Sequence, residues 1–236
     1  MKKLICFDLD GTLTQHRTLI EDNVLEFLER LKEKYKLIMV GAGAAERIYK
    51  QMREYPVDIL GNYGMQESKV IDGKFEVVRK EITQPDREYF LEKAQYLREK
   101  YGYQEFKGDS VEFHQTGMVT FPLLGTKADI KDKLAFDPTR EKRRKMYKEV
   151  QELFADYTVY IGGSSSFDFS LKKYNKYDAI MAYAKENGYQ KQEILFVGDD
   201  FEDGGGDSHV RIFGIDYINI EDYRTVVDKL KFLLEE

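Results

Sequence analysis

The chain has 236 residues, 42% of them hydrophobic, enough for one large domain or for a core domain carrying a second module. Its formal charge of -6 speaks against a nucleic acid as the main partner, since such binding rests on a net basic face. No apolar run reaches the ~18 residues of a membrane span, a single cysteine excludes an internal disulfide, and MKKLICFDLDG is too short in apolar residues for a signal peptide. The expectation is a cytoplasmic globular protein with no membrane contact, and with Cys6 as a buried core thiol.

The first predicted element is a short buried strand over residues 4–7, with turn chemistry at Gly11, Thr12 and Thr14. A helix over residues 20–35 follows, its apolar positions Ile20, Val24, Leu25, Phe27, Leu28 and Leu31 sharing one face. KLIMVGAG reads as a second strand ending in glycines, residues 44–55 as a helix, and VDILGNYG as a third strand. Strand and helix in alternation predict a parallel sheet covered on both sides.

From about Ile82 the pattern changes. A long amphipathic helix (PDREYFLEKAQYLREKYG) leads to an alternating stretch VEFHQTGMVTFPLL, a helix over residues 138–154 and two strand-like runs, YTVYIGG and SFDFSL. Period-two strands mixed with helices indicate an α+β insert with one open sheet face. The basic run at residues 140–148 reads as a solvated helix face. After Lys176 the first style returns, with a helix (YDAIMAYAKENG), a buried strand EILFVGDD, a strand pair in RIFGIDYINI and a last helix from Asp222. The expected organisation is α/β: a first core segment at residues 1–81, an insert at 82–171 and a second core segment at 172–236.

Two strands of the expected parallel sheet end in acids, at Asp8 and Asp10 and at Asp199 and Asp200. In such sheets the working crevice lies outside the carboxyl ends of the strands, so the two clusters can meet. Carboxylates that close repel, and a divalent cation relieves them; oxygen-only ligands suit Mg²⁺. DLDG does not start a calcium loop, because the glycine comes at loop position 4 rather than 6.

FDLDGTLT resembles motif I of the haloacid dehalogenase (HAD) superfamily, Lys176 falls at its motif III lysine, and GDDFEDGGGD resembles its acidic motif IV. The insert is similar to that superfamily's α/β cap. FDLDGTLTQHRTLI, VEFHQTGM, GGSSSFDF and VGDDFEDGGGDSHV are similar, in the same order, to segments of the eukaryotic-type phosphomannomutases. The resemblance implies a HAD-like Rossmannoid core with an inserted cap, and a Mg²⁺-dependent phosphoryl transfer through an aspartyl phosphate. It makes Asp8 the nucleophile, Asp10 the general acid and base, and Lys176 the cation beside the nucleophile. The metal set it implies comprises Asp8, Asp10 through its backbone carbonyl, Asp199 and Asp207. Arg17, Gly43, Ser166 and Asp168 fall at its substrate-binding positions, which implies a small phosphorylated metabolite such as a sugar phosphate. A homodimer through the cap stays open.

Two departures shape the functional expectation. Gly43 stands where the phosphomannomutases have a serine, a loss of one neutral hydrogen bond costing about 0.5–1.5 kcal/mol. In the cap, His114 or Gln115 and Thr126 occupy the places of phosphate-gripping arginines, with Lys107 the nearby basic match. A mutase must hold a bisphosphate firmly at both ends. The expectation is therefore a phosphatase; a phosphohexomutase is the runner-up and a non-catalytic phosphosugar-binding protein the third reading. His114 and His209 are expected to make ordinary polar contacts rather than bind metal.

Overall fold

The structure is a computed structural model and describes residues 1–235. These form two compact units: Met1–Glu81, Tyr174–Asp203 and the residues from Asp207 onward in one, Ile82–Lys173 with Gly204–Gly206 in the other. The first unit begins with β1 (Leu4–Phe7), α1 (Asp22–Lys32), β2 (Lys36–Val40), α2 (Ala45–Gln51), β3 (Asp58–Gly61) and a hairpin of β4 (Gln66–Ile71) and β5 (Lys74–Lys80). The second unit holds α3 (Arg87–Tyr101), β6 (Glu112–Phe113), β7 (Val119–Pro122), α4 (Ile130–Phe136), α5 (Glu141–Leu153), β8 (Tyr157–Tyr160) and β9 (Ser166–Leu171). The chain then returns to the first unit through α6 (Lys176–Glu186), β10 (Ile194–Gly198), α7 (Ser208–Ile212), β11 (Asp216–Asn219) and α8 (Val226–Leu230).

The large sheet runs β11-β10-β1-β2-β3-β4-β5. Its centre is β1, whose Leu4–Phe7 lie opposite Lys36–Met39 of β2 and Ile194–Val197 of β10, parallel on both sides. Alternation along the strand explains the two apolar layers. Ile5 and Phe7 join Leu37, Met39 and Val197 beneath α1, α2 and α8, where Phe27, Leu28, Ile48 and Leu230 are buried. Leu4 and Cys6 point the other way, with Ile38, Val40 and Phe196, onto Ile180 and Tyr183 of α6 and Val210 of α7. Each such side chain contributes roughly 1.5–3 kcal/mol of burial. Cys6 lies fully inside this second layer, as expected of a core thiol.

The sheet is parallel only from β11 to β3. β4 and β5 extend it antiparallel, a hairpin absent from the expected elements. Asp72 and Gly73 at its tip both have positive φ (50° and 75°), the conformation a two-residue hairpin turn requires. RIFGIDYINI is not a strand pair. Its first residues close α7, Gly214 at φ 70° turns the chain, and only Asp216–Asn219 is a strand.

In the second unit the sheet β6-β7-β9-β8 is antiparallel. Its apolar face meets α3 and α5: Phe90 stacks on Phe154 with centroids 4.6 Å apart and meets Phe169 edge-on at 5.2 Å. Asp86 caps α3 by accepting from Tyr89 N, and Gly102 ends it in the left-handed conformation. The helix expected over residues 138–154 is Glu141–Leu153, and a separate helix, α4, precedes it.

The basic run is not wholly solvated, because Arg143 is 1% exposed. Its Nε donates to Asp137 at 2.9 Å and its Nη1 to the carbonyls of Gly162, Gly163 and Ser166, bracing the loop before β9. Burial opposes the charge on Asp137, but the bonds from Arg143 and from the backbone N–H of Lys142 hold its acid below the usual carboxylate range. Arg143→Ala should therefore strand a buried carboxylate and cost about 3–5 kcal/mol, read as a lower urea midpoint at unchanged slope.

Candidate active site

Asp8 follows the last residue of β1, and its backbone N–H still bonds Val197 O of the neighbouring strand. Its side chain meets Lys176, the first residue of α6, whose Nζ lies 2.6 Å from Asp8 Oδ1 and 2.6 Å from Asp207 Oδ1. Asn175 caps that helix by accepting from Asp178 N, which fixes where Lys176 leaves the backbone. The other oxygen of Asp207 accepts from the N–H groups of Asp199 and Asp200 at 3.1 and 3.0 Å, tying down the turn after β10. Thr12 Oγ1 donates to Asp199 at 2.8 Å. Gly11 lies between these groups at φ 96°, and a Cβ there would come 2.5 Å from Asp199 Oδ2.

One carboxylate oxygen each from Asp8, Asp199 and Asp207 lies within 4.8 Å of the others, so the trio can hold a divalent cation. Burial pushes the acids of Asp8, Asp199 and Asp207 up to about 6. Mutual repulsion adds to this, and the charge of Lys176 pulls back all three. For Lys176 burial favours the neutral amine, yet two carboxylates within bonding distance outweigh it and the ammonium is held above its ordinary range. Asp207 already receives Lys176 and two backbone donors, which makes it foremost an anchor for the lysine and the turn.

The Asp10 side chain is not part of this trio. Its carboxylate accepts from Arg47 Nη1 (2.8 Å), Gln51 Nε2 (2.7 Å) and the backbone N–H of Arg17 (2.7 Å), which leaves its carbonyl as the donor available to a cation. Burial raises the Asp10 acid, but the charge of Arg47 and these hydrogen bonds hold it below the usual range. Arg17 has a positive φ of 59° and an exposed side chain; it is its N–H that reaches Asp10. Gly43 lies under the Arg47 guanidinium, with a built Cβ 2.5 Å from both Cζ and Nε.

Arg47, Gln51 and Thr12 were not expected from the sequence. Arg47 and Gln51 stand four apart on α2, an i, i+4 polar pair on the helix that follows the glycine turn, and that spacing was the available signal.

A family model for haloacid dehalogenase-like hydrolases matches residues 5–204. The chain belongs to the haloacid dehalogenase-like hydrolases. As a member of that superfamily it is a phosphoryl-transfer enzyme, and in sequence it is close to phosphomannomutases. That of Encephalitozoon cuniculi is 26% identical over 98% of this chain and 94% of its own length. That of Drosophila melanogaster is 28% identical over 88% of this chain and 85% of its own. The IMP-nucleotidase of Plasmodium falciparum shares the fold, with a TM-score of 0.75 and 17% identity over all of this chain and 68% of that one.

The second unit of this HAD enzyme carries Ser166, Asp168 and His114, and α7 of the first unit carries His209. Asp168 of β9 accepts from Thr120 Oγ1 at 2.7 Å, and Thr120 also meets His114 Nε2 at 2.9 Å. Burial raises the Asp168 acid against the hydrogen bond from Thr120. Ser166 Oγ donates to Gly162 O at 3.0 Å. His209 rests on Phe213 with centroids 6.0 Å apart, and burial lowers its pKa. Neither histidine belongs to an acidic or metal-ligand group among the described residues.

Because Asp8, Asp199 and Asp207 hold protons up to a pH of about 6, a cation must displace those protons below that pH and meets ionised carboxylates above it. The rise in Tm given by a fixed excess of Mg²⁺ should grow as pH climbs from about 5 to 7 and level off above, with Asp199→Asn losing most of it; differential scanning fluorimetry in chelator and in Mg²⁺ checks both.

Proposed function

We propose that this enzyme is a Mg²⁺-dependent phosphatase acting on small phosphorylated metabolites, sugar phosphates first among them. The observation that carries the choice lies in the second unit, at positions where phosphomannomutases are expected to grip a distal phosphate. Thr126, between β7 and α4, is tied to the loop before β6, its Oγ1 accepting from Asp109 N at 2.8 Å. Lys107 is paired with Asp129 at 3.0 Å and has Asp132 at 3.9 Å. An ammonium already shared by two carboxylates is a weak and unselective handle for a phosphate.

In the proposed reaction a carboxylate oxygen of Asp8 attacks phosphorus and the bond to the leaving oxygen breaks, giving an aspartyl phosphate and an alcohol that takes its proton from Asp10. Asp10 is ionised in the resting site and takes that proton from solvent water as a phosphate dianion arriving beside it raises its proton affinity. Water then attacks the phosphorus of the aspartyl phosphate, yields its proton to Asp10 and releases inorganic phosphate and Asp8. Lys176 keeps the nucleophilic carboxylate in one orientation and offsets its charge. Asp8, Asp199 and the carbonyl of Asp10 would hold Mg²⁺, which supplies positive charge between carboxylate and phosphate. Ser166 and Asp168 are assigned to sugar hydroxyls, Arg17 and the Gly43 turn to phosphate.

The phosphohexomutase reading keeps support from relatives called phosphomannomutases that align over nearly the whole chain. The two readings separate on the acceptor of the second step, water or a sugar hydroxyl.

Phosphate release across hexose, pentose and triose phosphates should require Mg²⁺, stop in chelator and fall by about 10³-fold or more in Asp8→Asn. Silence across the panel together with isomer formation in the presence of a hexose bisphosphate would replace the phosphatase with the mutase.

A further inference from the structure

Gly43 leaves the site without the hydroxyl that a serine would supply, yet the space above it is filled. The Arg47 guanidinium lies against the glycine: a Cβ at residue 43 would fall inside van der Waals contact of Nη2 and 2.5 Å from Cζ and Nε. The two positions are therefore sterically exclusive, a side chain at 43 or the guanidinium over it.

The guanidinium is held from one side only. Nη1 donates to Asp10 Oδ2 and to Gln51 Oε1, both at 2.8 Å, while Gln51 Nε2 closes the triangle on Asp10 Oδ1 at 2.7 Å and reaches Thr14 Oγ1 at 3.1 Å. Nε and Nη2 bond no protein acceptor among the described residues, so three N–H donors of a fixed fork stay uncommitted. A side chain 38% exposed keeps them within reach of a ligand. The fork stands at the carboxyl ends of adjacent strands: Phe7, just before Asp8, pairs with Met39 of β2, and Gly43 follows β2. Three uncommitted donors, a fixed orientation and neighbouring carboxylates that need a cation are what recognition of a phosphoryl group calls for.

We propose that Arg47 is a phosphate-binding residue of this site, its guanidinium taking over the role of the hydroxyl that Gly43 lacks. The assignment rests on the phosphoryl-transfer reading above and adds to it the group that holds the phosphoryl oxygens. Gly43 and Arg47 then act as a matched pair, and Gln51 as a positioning residue that aims the fork by holding Nη1.

The test is binding of inorganic phosphate to the Mg²⁺-loaded protein by titration calorimetry, with KM and kcat for phosphate release measured alongside. Arg47→Ala should weaken phosphate binding about tenfold or more and raise KM. Arg47→Lys, which keeps the charge without the fork and spares the fold if alanine does not, should recover part of the affinity. Gly43→Ser alone should also weaken binding by displacing the guanidinium. Gly43→Ser in the Arg47→Ala background should bind phosphate better than Arg47→Ala, a rescue that a merely structural arginine would not allow. Wild-type affinity in Arg47→Ala or Arg47→Lys, with the wild type active, overturns the Arg47 assignment alone. A wild type that neither binds phosphate nor releases it overturns the functional reading together with the assignment.

Discussion

The buried acids around Asp8 at the end of β1 depend on one buried ammonium. Lys176 is 3% exposed, its Nζ between Asp8 and Asp207, and it sits at the first turn of a helix, where the macrodipole disfavours a cation. Two carboxylates are needed to hold it charged, and without it those carboxylates would face one another in a dry site. The three residues are far apart in the chain, so the contact forms only when the segment after the second unit has returned to the large sheet. The same lysine thereby couples the order of the site to completion of the fold. The turn after β10 is set through Asp207, and Asp199 is carried into position with it.

A second network, separate from the first, controls Asp10. Two residues beyond Asp8, its side chain is drawn to Arg47 and Gln51 on α2 while Asp8 is drawn to α6. Two carboxylates close in sequence are thus pulled to different partners, and their proton affinities move apart: the Asp8 acid is raised mainly by burial, the Asp10 acid lowered by cationic and hydrogen-bonded neighbours.

What could be read from the sequence was whatever local pattern alone decides. Four consecutive apolar residues ahead of Asp8 read as a strand buried on both faces, and acids after two such strands can meet at one edge of a parallel sheet. The β4–β5 hairpin escaped because its outward face is polar apart from Val78: exposure alternates along Lys74–Lys80, so no long apolar run marks it, although Asp72-Gly73 was the cue. Residues 211–220 misled in the opposite way, since Ile212 and Phe213 are apolar but exposed at the end of a helix. Arg143 and Arg47 look like any other surface cations in a one-dimensional pattern. Only three-dimensional proximity shows that one is locked beneath a loop and the other laid on a glycine.

The lone cysteine has a consequence for measurement. Cys6 occupies the central strand two residues from Asp8, is fully buried, and its thiol is pushed well above its ordinary acidity range by that burial. A thiol reagent can therefore reach it only when β1 parts from the layer of Phe196, Ile180 and Tyr183. The rate of labelling would count openings of the central sheet and ignore fluctuations of surface loops. Compared with and without a bound cation, that rate would report how firmly the loaded site clamps the strand that carries it.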